Sequence, residues 1–123
     1  MTQKENFSHS ATILPTRDIQ KSIDFYTKKL EFSLNFTWED PVSYAVLKRG
    51  EVNIHLSLVD DPSTPLLSST LIYVFVHDVD SAFQQCKKNG IEIKEPIDTR
   101  DYKMRDFEII DPDGHRLTIG NGQ

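Results

Sequence analysis

Cysteine is nearly missing from this 123-residue chain: Cys86 stands alone, which excludes an internal disulfide and a thiolate metal cluster. Basic residues are outnumbered, 14 Lys and Arg against 19 Asp and Glu, so neither nucleic acid nor an anionic membrane is expected as a partner. No apolar run approaches the ~20 residues of a membrane span. Met1-Thr2-Gln3-Lys4-Glu5-Asn6 lacks the apolar core of a signal peptide, and a cytoplasmic location is expected. The five glycines build no phosphate-cradling loop. No serine sits in a nucleophile-elbow pattern, and no two carboxylates form a matched acid/base pair.

What is present alternates and repeats. Phe7 to Leu14 reads as a strand stopped by Pro15, and Asp18 caps a helix whose apolar stripe is Ile19, Ile23, Tyr26 and Leu30. Strands follow at Phe32–Trp38, Val42–Leu47 and Val52–Ser57. After an exposed linker, Val59 to Ser69, the pattern restarts: strand Thr70–Val76, cap Asp78, a stripe of Val79, Ala82, Phe83 and Cys86, and Gly90 as helix stop. A short strand Ile91–Ile93, a polar loop through Pro96 and Asp98-Thr99-Arg100-Asp101, and a closing hairpin around Asp111-Pro112-Asp113-Gly114 complete the chain. The two caps lie 60 residues apart, so the chain reads as an internal repeat. The expectation is one α+β domain over residues 1–123, built from two β-α-β-β-β modules at about 7–58 and 70–120.

Four segments carry a family resemblance: Leu14-Pro15-Thr16-Arg17-Asp18-Ile19, Phe25-Tyr26-Thr27-Lys28-Lys29-Leu30-Glu31-Phe32, Val76-His77-Asp78-Val79-Asp80, and the Asp-Pro-Asp-Gly hairpin. In order and spacing the chain resembles the vicinal oxygen chelate superfamily (glyoxalase I, extradiol dioxygenases, fosfomycin-resistance enzymes, bleomycin-resistance proteins), nearest the bleomycin-resistance branch. Glu31 departs from the family, which usually has glycine there. The resemblance implies half-barrel sheets enclosing a cavity, with modules or strands exchanged across a homodimer.

It also implies where a metal would be held. Of the family's four donor positions, three fall on Ala11, Leu71 and Thr118, and only His55 occupies a position that can coordinate. His9 shares Ala11's face but stands about 7 Å along the strand. Neither metal nor cofactor is therefore expected, and no catalytic residue is named. His77 and His115 read as solvated, and Cys86 as a small core residue.

Function is then expected from binding. Asn53, His55 and Ser57 alternate onto one strand face, with Tyr44 and Val46 alongside and Trp38 next to the acidic turn Glu39-Asp40. Tyr102, Met104 and Phe107 lead into the closing hairpin. The expected ligand set is Trp38, Tyr44, Asn53, His55, Tyr102, Met104, Phe107 and Thr118, suited to a planar, partly cationic small molecule such as a bleomycin-like one. The reading is a non-enzymatic antibiotic-resistance protein that sequesters its ligand; the alternative is a metal-dependent glyoxalase-like lyase or isomerase, or a thiol transferase.

Overall fold

The computed structural model describes residues 5–63 and 71–122. The first module runs β1 (Thr12–Thr16), α1 (Ile19–Asp24, continuing as a π-helix over Phe25–Lys29), β2 (Ser33–Trp38), β3 (Tyr44–Arg49) and β4 (Val52–Leu58). The second runs β5 (Leu71–Phe75), α2 (Val79–Lys88), β6 (Ile93–Thr99), β7 (Met104–Ile110) and β8 (Arg116–Gly122). Each module is one four-stranded sheet, ordered β1-β4-β3-β2 and β5-β8-β7-β6. First and last strands pair in parallel, the others antiparallel. The expected β-α-β-β-β repeat is thus observed. Within the expected linker, residues 64–69 lie outside the described residues, as does Thr70 of the expected strand.

Both helices start the same way. Asp18 and Asp78 sit in extended backbone and accept from the amides of Lys21 at 3.1 Å and Ser81 at 3.0 Å. This satisfies a first-turn donor that has no partner in the helix. The π-turn has a local cause: Thr27 Oγ1 donates to the Ile23 carbonyl at 2.7 Å, competing for an acceptor that an α-helix would give to a backbone amide. The ladder then steps out to Leu30 N–H on Phe25 O.

Period-two alternation divides each sheet into two faces. Leu14, Ala45, Leu47, Ile54 and Leu56 point toward the helix side in module 1, as do Phe107, Ile109, Leu117 and Ile119 in module 2, and all belong to one buried cluster that both helices share. Burying each large aliphatic side chain there contributes roughly 1.5–3 kcal/mol. The other face of each sheet is left open. It carries Ile13, Phe36 and Trp38 at 59%, 51% and 59% exposed, and Leu71 and Phe75 at 59% and 71%.

Two expectations about prolines are corrected. Pro15 does not stop the first strand but lies inside it, opposite Ser57, whereas Phe7 to Ala11 has no strand partner. Pro96 lies inside β6 rather than in a loop. Both strands are sheet edges, where a residue without an N–H is tolerated.

A third correction concerns His115, which is not solvated but 1% exposed. The β7–β8 turn folds against the first module. Tyr26 Oη donates to Asp111 Oδ2 at 2.7 Å, Ser22 Oγ to Asp113 Oδ2 at 2.8 Å, and the Arg17 amide to Asp113 Oδ1 at 3.0 Å. His115 Nε2–H donates to the Pro15 carbonyl at 2.7 Å, while its own amide and that of Asp113 bond Asp111 Oδ1, both at 2.9 Å. Burial holds the Asp111 carboxyl above its ordinary range, against the pull of the Tyr26 bond and the two amides. Burial and the facing Asp111 carboxylate push Tyr26 well above the ordinary phenol range.

Candidate functional site

The open face of module 1 is fixed by register. Ile13, His55, Val46 and Phe36 form one row, and Pro15, Ser57, Tyr44 and Trp38 the next. The Tyr44 hydroxyl lies 2.8 Å from His55 Nδ1, with the rings edge to face at 5.4 Å. This bond and the ring contact hold the His55 imidazole in one orientation. Phe36 and Trp38 stand side by side at 6.3 Å between ring centres. Asn53 shares this face, but its amide is used on the Ser10 carbonyl at 2.9 Å and the Glu51 carbonyl at 3.3 Å. It fastens the segment before β1 rather than offering a free contact.

Module 2 presents a different chemistry. Tyr73, Thr118, Glu108 and Glu95 form one row, and Phe75, Gly120, Asp106 and Asp98 the next. Asp106 is 2% exposed and receives three donors: Tyr73 Oη at 2.9 Å, Tyr102 Oη at 2.8 Å and Arg100 Nε at 2.8 Å. Burial opposes its charge, but the Arg100, Tyr102 and Tyr73 bonds outweigh that and hold the carboxyl below its ordinary range. Burial and the Asp106 bond push Tyr73 up to about 12. Gly120 makes room for this cluster: a Cβ there would meet Asp106 Cβ at 2.6 Å and the Arg105 carbonyl at 2.8 Å. Glu108, directly across from Thr118, has Arg116 at 3.5 Å.

The expected residues therefore fall into two groups. Trp38, Tyr44, Asn53 and His55 share the face of module 1. Met104, opposite Gly122, and Thr118 stand on the face of module 2; Tyr102, 62% exposed, reaches the same cluster through Asp106. No hydrogen bond or ring contact among the described residues joins the two groups. Phe107 leaves the set: it is 0% exposed and packs edge to face on Phe83 at 5.1 Å, on the helix side. Asp106, Glu108, Tyr73 and Phe36 share these open faces without belonging to the expected set. The signal is in the alternation of Phe107 and Ile109 with Asp106 and Glu108, since only one of those pairs can lie on the open face.

The family's metal positions do not fit an ion. Ala11 and Leu71 offer no donor, which leaves one imidazole, His55, and the Thr118 hydroxyl, too few to hold an ion. His9 is exposed, with Nδ1 2.7 Å from Ser8 Oγ. Among the described residues no group of three or more His, Cys, Asp or Glu side chains stands together as a metal site. None of the described helices is long and apolar enough to cross a membrane.

Known proteins fit this geometry. A bleomycin resistance protein of Staphylococcus aureus is 31% identical over 126 aligned positions, covering 89% of this chain and 93% of the relative. The crystal structure of TioX from Micromonospora sp. ML1 superimposes with a TM-score of 0.83 at 20% identity, covering 95% of this chain and 100% of that one. The bleomycin-binding protein of bleomycin-producing Streptomyces verticillus, solved with copper(II)-bleomycin, gives 0.79 at 18% identity, covering 98% and 100%. At such identities the superpositions show a common fold. A family profile matches residues 7–119, and the chain belongs to the glyoxalase/bleomycin resistance protein/dioxygenase superfamily.

Proposed function

We propose that this chain is a bleomycin-resistance-type binding protein of the cytoplasm, which sequesters a planar, partly cationic antibiotic or related small molecule without transforming it. The observation that carries the reading is the contrast between the two open faces. One carries Phe36, Trp38, Tyr44 and His55, and the other Glu95, Asp98, Asp106 and Glu108. Aromatic rings stack on a flat guest for about 0.5–1.5 kcal/mol per pair beyond area burial. Asp106 and Glu108 are already met by Arg100 and Arg116, so Glu95 and Asp98 are the carboxylates of this face that favour a cationic tail. A second copy of the chain, exchanging modules or strands, brings the aromatic face of one protomer opposite the acidic face of its partner and forms two such cavities. Large apolar side chains exposed on both faces support this, since burial against a partner removes them from water.

Calorimetric titration with metal-free and copper(II)-bleomycin tests the ligand, with sedimentation to establish the dimer. Dissociation constants of ~10 μM or below, near −7 kcal/mol, with the drug recovered unchanged, are expected. Absence of heat at that concentration removes bleomycin as the ligand, and a monomer that binds fully removes the shared cavity.

A further inference from the structure

The modules repeat one hydrogen-bond frame 60 residues apart, yet the niche between helix and turn is filled in one and hollow in the other. The amide of Ser22 bonds Asp18 O as that of Ala82 bonds Asp78 O, and the amide of Phe32 bonds Tyr26 O as that of Ile91 bonds Cys86 O. Thr16, Ser22 and Tyr26 therefore correspond to Val76, Ala82 and Cys86. In module 1 the three polar side chains are 0% exposed; Ser22 and Tyr26 bond the five-residue turn Asp111–His115, and Thr16 bonds Ser22. The counterpart of that turn is the β3–β4 connection, only Gly50-Glu51 between the paired Arg49 and Val52. Where one niche holds a phenol, an imidazole and two turn carboxylates, the other thus has smaller apolar groups and a shorter turn.

The difference leaves a half-open cavity of about 570 Å³, within the ~300–1,000 Å³ range of small-molecule pockets. Leu30, Phe32, Val52, Val76, Ala82 and Cys86 are among its walls. At its rim Lys29 and Arg49 are balanced by Glu31 and Glu51, so no net field selects an ion. The filled niche indicates what suits the hollow one: a flat ring among apolar side chains, its hydroxyl donating to a carboxylate, as Tyr26 donates to Asp111.

We propose that this cavity binds an uncharged aromatic alcohol of the phenol or naphthol class, at a site separate from the two open sheet faces. The ring takes the volume corresponding to the Tyr26 side chain, and the hydroxyl meets the rim carboxylates. Cys86 lines the inner wall as a neutral thiol, which burial pushes up to about 11.

Titration of the full chain with 2-naphthol, followed by amide NMR, tests this. Saturable shifts are expected at residues 74–76, 82–86 and 49–52, with Trp38 fluorescence unchanged. Cys86→Phe and Ala82→Leu, two independent ways of filling the hollow, should each weaken binding at least tenfold while retaining a dispersed amide spectrum. Naphthalene-2-sulfonate, the same ring carrying a charge, should bind at least tenfold more weakly. Four results would overturn the proposal: no saturable shift up to the solubility limit, shifts centred on Trp38, Tyr44 or Tyr73, wild-type affinity in a folded filled variant, or equal affinity for the sulfonate.

Discussion

Replacing Tyr26 by Phe tests whether the β7–β8 turn locks the two modules together. The change removes one oxygen, whose hydrogen bond to Asp111 Oδ2 is 2.7 Å long, between residues 0% and 5% exposed. The ring stays packed edge to face on Phe25 and Phe32 at 5.1 and 5.8 Å, so almost no cavity term is added. A hydrogen bond to a charged acceptor is worth about 1.5–3 kcal/mol. Asp111 keeps the amides of Asp113 and His115, which places the expected loss at ~2 kcal/mol at neutral pH. That lowers the melting temperature by roughly 6–12 °C for a chain of this size. The pH dependence has a definite sign. Burial already raises the Asp111 carboxyl, and the Tyr26 bond opposes that; losing the bond raises it further. A carboxyl raised in the folded state adds stability once protonated and loses it as pH rises through the folded value. The deficit of the variant is therefore largest near neutrality and shrinks in acid. Urea unfolding followed by circular dichroism at about pH 7 and pH 4, repeated in an Asp111→Asn background, measures both effects. A loss below ~0.5 kcal/mol, or a deficit that neither acid nor Asp111→Asn reduces, refutes the reasoning.

Other outcomes are expected from the same geometry. Glu31→Gly should stabilise by roughly 0.5–1 kcal/mol in urea unfolding, because Glu31 holds φ at 59°, where a Cβ is unfavourable. Folded protein should alkylate at Cys86 with iodoacetamide far more slowly than unfolded protein, read by mass spectrometry, since burial suppresses both access and the thiolate. Tyr73→Phe should flatten the alkaline stability profile: Tyr73 is raised to about 12, so the wild type loses stability as pH climbs from about 10 toward that value. Trp38→Ala should weaken copper(II)-bleomycin binding roughly three- to tenfold by calorimetry if its indole stacks on the guest; unchanged affinity would remove Trp38 from the site.

The repeat and the helix caps were legible because their signals are local. Asp18 and Asp78 each need only a backbone amide three residues ahead, and the stripes at Ile19, Ile23 and Tyr26 follow the helical period. The places of Pro15 and Pro96 inside strands are not legible locally, because a proline's effect depends on whether its strand lies at a sheet edge, which only the assembled sheet decides. The burial of His115 depends on β1, 100 residues away in sequence, where the Pro15 carbonyl lies. That Tyr44, Asn53 and His55 share one sheet face was legible from alternation around His55. On β7 the same alternation puts Asp106 and Glu108 on the open face and Phe107 on the helix side, which an aromatic side chain alone does not reveal.

Pro15 and Pro96 also bear on colloidal behaviour. Each sheet has one border with a proline, β1 or β6, and one without, β2 or β5. A bare border is a template on which another chain can add strands, and a proline interrupts that template. Growth of the sheets from chain to chain is thereby confined to β2 and β5, the strands that carry Phe36, Trp38, Leu71 and Phe75. Restoring an amide at either proline would free a further border, and fibril formation in concentrated solution is where that would first register.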